Sequence, residues 1–126
     1  CHLGGTMSKI LIVDDEVDIV TILKNALEME SYKVFAAYNG LEALNKIKED
    51  KPDLILLDIM LPQLDGNSVN LELKKNPETA KIPVIIMTGK GGLKETLGIK
   101  EDVNVAGYFE KPFPIRLLVE KIKSLL

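Results

Sequence analysis

The sequence predicts an α/β domain in which helices cover both faces of a parallel β-sheet. Short apolar runs alternate with amphipathic stretches five times along the chain, and this alternation is typical of βαβ units. The apolar run 54–57 contains no polar residue and is too short for an ordinary helix, so it fits a strand that is buried on both faces. At 126 residues, the chain is expected to form one domain.

Composition narrows the possible functions. Residues 1–6 resemble an expression-tag remnant, so the domain is expected to span residues 7–126. The only cysteine (Cys1) and the only histidine (His2) lie in that remnant, which leaves the domain no disulfide, no thiol nucleophile and no imidazole. The net charge of −3 argues against direct nucleic-acid binding, and no apolar run is long enough to span a membrane. We therefore expect a cytoplasmic protein.

The first half of the domain predicts two β–α units before the central strand. Residues 10–13 are apolar and form the first strand, and residues 33–37 form the second. Asn39 is expected to cap the second helix, with Glu42 as the capping-box residue three positions later. The predicted buried face is Ile19, Val20, Leu23, Ala26 and Leu27 in the first helix, and Leu41, Leu44 and Ile47 in the second.

The second half of the domain continues the alternation. The central strand 54–57 ends at Asp58, and a third helix is expected from Gly66 onward. Its apolar face is thin, because only Val69 and Leu73 are in register. The remaining predicted elements are a strand at 83–88, a short fourth helix near 93–99, a strand at 105–110, and a last helix with Ile115, Leu118, Val119, Ile122 and Leu125 at helical spacing.

Handedness rules then restrict the topology. Right-handed crossovers with helices on both faces favour a doubly wound sheet of strand order 2-1-3-4-5, which places strands one and three side by side at the centre. The carboxyl ends of all five parallel strands meet at one edge of such a sheet. The polar residues expected at that edge are Asp14, Asp15, Asp58, Thr88 and Lys111.

Three carboxylates at one edge require a positive partner. Two unit charges about 4 Å apart repel by roughly 4 kcal/mol at an effective dielectric constant near 20. A hard divalent cation suits oxygen ligands, and Mg²⁺ commonly binds one or two carboxylates together with phosphate oxygens and water. Lys111 supplies a positive charge and Thr88 a hydroxyl donor, both suited to phosphoryl oxygens. Asp58 is then the candidate nucleophile, because carboxylates form aspartyl phosphates.

These residues together resemble the receiver domain of response regulators, a flavodoxin-like fold of five βα units. The similarity covers the chain from Met7 to Leu126. The residues that carry it lie at the ends of predicted strands: Asp14, Asp15, Asp58, Thr88, Gly89, Tyr108, Lys111, Pro112 and Phe113.

The resemblance implies a phosphorylation site and a metal site. Asp58 would accept a phosphoryl group from a sensor histidine kinase or a phosphotransfer protein. Mg²⁺ would be bound by Asp15, Asp58 and the backbone carbonyl of Met60, with Asp14 assisting through water. Such a domain acts as a signalling module with self-catalysed phosphoryl transfer and hydrolysis, and is not otherwise an enzyme.

The resemblance also implies how the signal leaves the site. Thr88 and Lys111 would contact the phosphoryl oxygens, and Tyr108 would turn inward as Thr88 moves toward them. A cis peptide bond is expected between Lys111 and Pro112. Phosphorylation would shift an existing two-state equilibrium of the surface formed by the predicted fourth helix, the fifth strand and the last helix.

The chain departs from the usual family pattern at three internal positions. Asn67 stands where an apolar residue is usual in the third helix. Residues 89–92 are unusually rich in glycine, and Ala106 and Gly107 replace the acidic residues that many DNA-binding regulators carry. These departures weaken the expectation of a regular fourth helix and of the dimer typical of DNA-binding relatives.

Each polar residue has a simpler structural explanation when it is considered alone. Asp14 would be a helix cap, Thr88 an ordinary strand-end residue, and Lys111 a solvated lysine. Tyr108 would be a half-buried packing residue with its hydroxyl in water. Their convergence at the ends of different strands is what favours a function.

Three other functions are compatible with parts of the pattern. A Mg²⁺-dependent phosphohydrolase with an aspartyl nucleophile would need a general acid and a substrate cap, for which no inserted segment is large enough. Flavin mononucleotide binding would place a phosphate against the acidic residues Asp14, Asp15 and Glu16, which would repel it. A phosphorylation-independent interaction module is the third alternative, although such variants usually lack part of the acidic set.

Overall fold

The structure is a computed structural model that describes residues 8–58, 66–89 and 106–126. Its strands are β1 (Lys9–Val13), β2 (Lys33–Ala37), β3 (Leu54–Asp58), β4 (Val84–Thr88) and β5 (Gly107–Glu110). Its helices are α1 (Val17–Met29), α2 (Gly40–Asp50), α3 (Gly66–Lys75), α4 (Pro77–Ala80) and α5 (Ile115–Leu125).

The five strands form one parallel sheet with the predicted order β2-β1-β3-β4-β5. The central strand β3 pairs with β1 on one side and with β4 on the other. All five of its residues are buried, which confirms the prediction of a strand covered on both faces. The predicted doubly wound α/β fold is therefore confirmed.

Alternate residues of the strands point into two separate apolar layers. Helices α1 and α5 cover one face of the sheet, and α2 and α3 cover the other. The α1/α5 layer includes Ile10, Ile12, Leu54, Leu56, Ile85, Met87, Val20, Leu23, Leu27, Leu118 and Ile122. The α2/α3 layer includes Leu11, Val13, Ile55, Leu57, Val84, Ile86, Ala43, Ile47, Val69 and Leu73.

The buried face of α2 differs from the predicted one. Leu41 was expected in the core, but its side chain is 54% exposed. The helix instead packs through Gly40, Ala43 and Ile47, which are buried, because small residues let its backbone lie close to the sheet. Asn39 caps the helix as predicted, since its side chain accepts a hydrogen bond from the backbone N–H of Glu42. The Glu42 carboxylate does not return the bond to Asn39, because it accepts from the backbone N–H of Tyr38.

The connection from α3 to β4 contains one helical turn that the sequence pattern did not predict. Asn76 caps this turn by accepting from the N–H of Glu78, and Pro77 occupies its first position. The strand β5 is shorter than predicted, because Ala106 lies in a bend and the strand begins at Gly107.

Several predictions concern residues outside the described ranges. These are the tag remnant at 1–6, the fourth helix near 93–99, the glycines at 91–92 and the first residue of the predicted fifth strand. The side chain of Asn67 also lies outside the description. Each helix within the described ranges is too short or too polar to cross a membrane.

Helix α3 offers a direct test of the packing. Leu73 is buried and Leu71, two positions earlier, is 52% exposed, as predicted. Leu73→Ala should lower the free energy of unfolding by about 2–5 kcal/mol, because it removes buried methyl groups and leaves a cavity. Leu71→Ala is the matched control and should change it by about 0.5 kcal/mol or less. Urea denaturation would measure both, and equal losses would contradict the assigned helix face.

Candidate functional site

The carboxyl ends of β1 and β3 bring two aspartates together. Val13 and Leu57 are register partners in these neighbouring strands, so the residues that follow them, Asp14 and Asp58, lie side by side. Both carboxylates are buried: the side chain of Asp14 is 0% exposed and that of Asp58 is 6% exposed. Buried carboxylates are costly unless they are paired, so this edge needs a nearby cation.

Lys111 provides that cation. It directly follows β5, and its Nζ lies 2.6 Å from Asp14 Oδ2 and 3.0 Å from Asp58 Oδ2. The same Nζ also donates to Glu16 Oε1, at 3.1 Å. The Lys111 side chain is 12% exposed, and its ammonium joins three carboxylates at one end of the sheet. The predicted convergence of Asp14, Asp58 and Lys111 is observed.

The loop that carries Lys111 is held by two aromatic residues. The rings of Phe109 and Phe113 lie 5.2 Å apart in a tilted arrangement, and both pack against the α1/α5 layer. Both rings are therefore packing residues. The peptide bond between Lys111 and Pro112 is cis, as the resemblance implied.

Asp14 also shapes the start of α1. Its Oδ1 accepts a hydrogen bond of 2.9 Å from the backbone N–H of Glu16, and its own N–H donates to the carbonyl of Ala37 at 3.1 Å. Asp14 is therefore not the N-cap of α1, which is Glu16; its Oδ1 instead fixes the turn that leads into the helix. Its second oxygen is left for Lys111, so one side chain fixes both the turn and the ion pair.

Burial and pairing act in opposite directions on the ionisation of this group. Burial raises the pKa of Asp14 above its usual value of 3.8, and the nearby Asp58 adds to this, although hydrogen bonds from Lys111 and the Glu16 N–H counteract it. For Lys111, burial lowers the pKa, but the hydrogen bonds to Asp14 and Asp58 outweigh burial and raise it above its usual range. Lys111 is consequently charged at every physiological pH.

Glu16 contacts Lys111 at this site, although it was not among the polar residues predicted at the edge. Adjacent residues of a chain turning from a strand into a helix point in different directions, and spacing alone does not say which acid faces the site. The signal available was its position two residues after Asp14, at the N-cap of α1. The structure turns Glu16 toward Lys111, whereas the side chain of Asp15 is exposed.

The other predicted residues are described only in part. Thr88 ends β4 and pairs in register with Glu110 of β5, but its side chain lies outside the description. Tyr108 lies in the edge strand β5 and is 41% exposed. Met60 lies outside the described ranges. The roles of Asp15, Thr88, Tyr108 and Met60 therefore stay predictions.

The oxygens at this edge fit a divalent cation. One carboxylate oxygen from each of Asp14, Glu16 and Asp58 lies within 4.8 Å of the other two. Ligands of a single Mg²⁺ ion, each about 2.1 Å from it, lie no more than about 4.2 Å apart, so the set would have to close slightly around the ion. Lys111 Nζ, which contacts all three residues, would have to move aside. Three carboxylates and one ammonium also leave two negative charges uncompensated, which is the charge that Mg²⁺ would neutralise.

Comparison with known proteins identifies a family with this fold. The family described as the response regulator receiver domain matches residues 10–123. Among solved structures, the chain is similar to the chemotaxis protein CheY4 of Vibrio cholerae, with 25% identity and a TM-score of 0.86, over 96% of this chain and 100% of that one.

Two further solved structures have similar scores. A response regulator receiver domain protein from Clostridium thermocellum is 30% identical, with a TM-score of 0.83 and 94% of each chain covered. The signal receiver domain of a signal transduction histidine kinase from Syntrophus aciditrophicus is 31% identical, with a TM-score of 0.85, over 94% of this chain and 89% of that one.

The raised pKa of Asp14 predicts a pH-dependent stability. The folded protein binds this proton more tightly than the unfolded chain, so the stability contributed by Asp14 falls as pH rises from 3.8 through its folded pKa. Asp14→Asn, studied without divalent cations, should therefore raise the urea midpoint at pH 7, and this gain should shrink on acidification toward pH 3.8.

Asp18→Asn is the control for that measurement, because Asp18 is an exposed acid in the first turn of α1. Its loss should slightly destabilise the protein by removing a favourable interaction with the helix dipole. A lower midpoint for Asp14→Asn at pH 7 would show that the hydrogen bond from Lys111 outweighs the cost of burial.

Proposed function

Because this chain belongs to the response regulator receiver domain family, we propose that it is a phosphorylation-controlled signalling domain whose phosphoacceptor is Asp58. The observation that carries the assignment is the contact of Lys111 Nζ with Asp58 Oδ2 at 3.0 Å. This contact supports the proposal, because a buried carboxylate at the end of the central strand can form an aspartyl phosphate and a lysine beside it can bind the phosphoryl oxygens.

The phosphoryl donor that we propose is a phosphohistidine of a sensor histidine kinase or a phosphotransfer protein. A carboxylate oxygen of Asp58 attacks phosphorus, the P–O bond forms as the P–N bond breaks, and the electron pair returns to the imidazole nitrogen of the donor. Lys111 and the Thr88 hydroxyl bind the phosphoryl oxygens. This division of labour suits phosphoryl transfer, in which positioning and charge neutralisation supply most of the catalysis.

The proposed metal is Mg²⁺. Asp15, Asp58 and the backbone carbonyl of Met60 would bind it directly, with Asp14 assisting through water. When bound, it supplies positive charge to the acidic edge and to the oxygens of the incoming phosphoryl group. The acidic cluster of Asp14, Glu16 and Asp58 supports a divalent cation at this edge.

We propose that the domain passes on its signal through a population shift. The added phosphoryl charge draws Thr88 and Lys111 inward, and Tyr108 follows from its exposed position on β5. The responding surface comprises the predicted helix near 93–99, β5 and α5. The domain is thus a switch and not an enzyme with a turned-over substrate, and we place it in the cytoplasm with its kinase.

Asp58→Ala tests the phosphoacceptor. Acetyl phosphate with Mg²⁺ should add one phosphoryl group to the wild-type domain and none to this variant, because the attacking carboxylate is gone. Intact-protein mass spectrometry measures the product, and addition of a chelator should abolish it in the wild type.

The matched control is Asp53→Asn, at the opposite end of the same strand. Asp53 Oδ2 accepts from the backbone N–H of Lys9 at 2.8 Å, and an asparagine oxygen can keep that bond. This variant should be labelled like the wild type. Persistent labelling of Asp58→Ala would move the phosphoacceptor elsewhere, and steady turnover of phosphate esters by the wild type would favour a phosphohydrolase.

Lys111→Ala tests whether Lys111 couples phosphorylation of Asp58 to the change at Tyr108. Labelling should persist with slower kinetics, because the carboxylate of Asp58 is retained. The environment of Tyr108, followed by NMR, should no longer change on phosphorylation. A full wild-type change in the Tyr108 signals of labelled Lys111→Ala would exclude Lys111 from signal transmission.

A further inference from the structure

We propose that Glu16 is a positioning residue that acts through Lys111 and slows phosphorylation of Asp58. Its carboxylate occupies the one N–H donor of Lys111 that a phosphoryl oxygen must later bind. In the unphosphorylated domain its carboxylate accepts from Lys111 Nζ at 3.1 Å. This inference rests on the proposed function, because it concerns the reactivity of Asp58.

The hydrogen-bonding capacity of Lys111 makes the contact consequential. An ammonium has three N–H donors and no acceptor. Its three carboxylate partners, Asp14, Asp58 and Glu16, match these donors one to one. A phosphoryl oxygen can bind Lys111 only if one of these bonds is given up.

The bond to Glu16 is the one that can be released at least cost. It is the longest of the three, and the Glu16 side chain is 58% exposed, so water can replace the lysine as its partner. The carboxylate of Asp14 is fully buried at 2.6 Å from Nζ and would be left without a partner of comparable strength. Asp58 is itself the group that carries the phosphoryl.

Capping does not explain the presence of a glutamate at this position. Glu16 is the N-cap of α1, but its side chain makes no capping hydrogen bond. Glutamate is not among the residues favoured at an N-cap. Among the described residues, the side-chain contact recorded for Glu16 is the one to Lys111.

The prediction is that the Glu16 contact slows phosphorylation. Glu16→Gln leaves a neutral and therefore weaker acceptor, so the donor of Lys111 is released more readily. The rate of labelling by acetyl phosphate at saturating Mg²⁺ should rise roughly 1.5- to 5-fold, the range expected for an exposed ion pair. In a Lys111→Ala background, the same Glu16→Gln change should have no effect.

Two controls separate this contact from bulk charge. Asp18→Asn removes a negative charge from the first turn of the same helix and should leave the rate unchanged. Glu16→Asp keeps the charge but shortens the side chain by one methylene, so it should accelerate labelling as Glu16→Gln does. If labelling of Lys111→Ala is too slow to follow, the comparison of these two Glu16 variants decides.

Several outcomes would overturn the inference. These are an unchanged rate for Glu16→Gln, an equal acceleration by Asp18→Asn, or an acceleration that persists without Lys111. Slower labelling with a weaker apparent affinity for Mg²⁺ would make Glu16 a metal ligand instead. Absence of labelling in the wild type would defeat the proposed function itself, whereas the outcomes above leave Asp58 as the phosphoacceptor.

Discussion

The ion pairs of Lys111 with Asp14 and Asp58 are the interaction on which the rest of this edge depends. Asp14 and Asp58 are buried side by side, an arrangement that like charges and lost hydration both oppose. Lys111 follows the carboxyl end of the edge strand β5, and in the strand order β4 lies between β5 and β3. Neighbouring strands are about 4.8 Å apart, so a long flexible side chain is needed to span the gap.

Much of this edge could be predicted from the sequence. An all-apolar run of ordinary strand length identifies β3, and handedness then fixes its neighbours, so Asp14 and Asp58 had to meet. Lys111 was predictable because it follows the last strand. In α3, the spacing of Val69 and Leu73 was sufficient to identify the buried face.

The failures have equally specific causes. The spacing of the large apolar residues in α2 predicts a buried Leu41, whereas the helix packs through the small residues Gly40 and Ala43. The single turn of α4 is too short to show a periodicity, although Asn76 and Pro77 mark its start. Glu16 was missed because the direction of a side chain at a strand-to-helix turn depends on backbone geometry that spacing does not encode.

The separation of the two apolar layers has a consequence for how strain spreads. In the described part of the chain, the side chains of one layer are isolated from those of the other by the sheet backbone. Within these described residues, a deformation of the α1/α5 side therefore reaches α2 and α3 through the sheet backbone. The strands thus serve both layers at once, and their backbone hydrogen bonds are the connection between the two halves of the core.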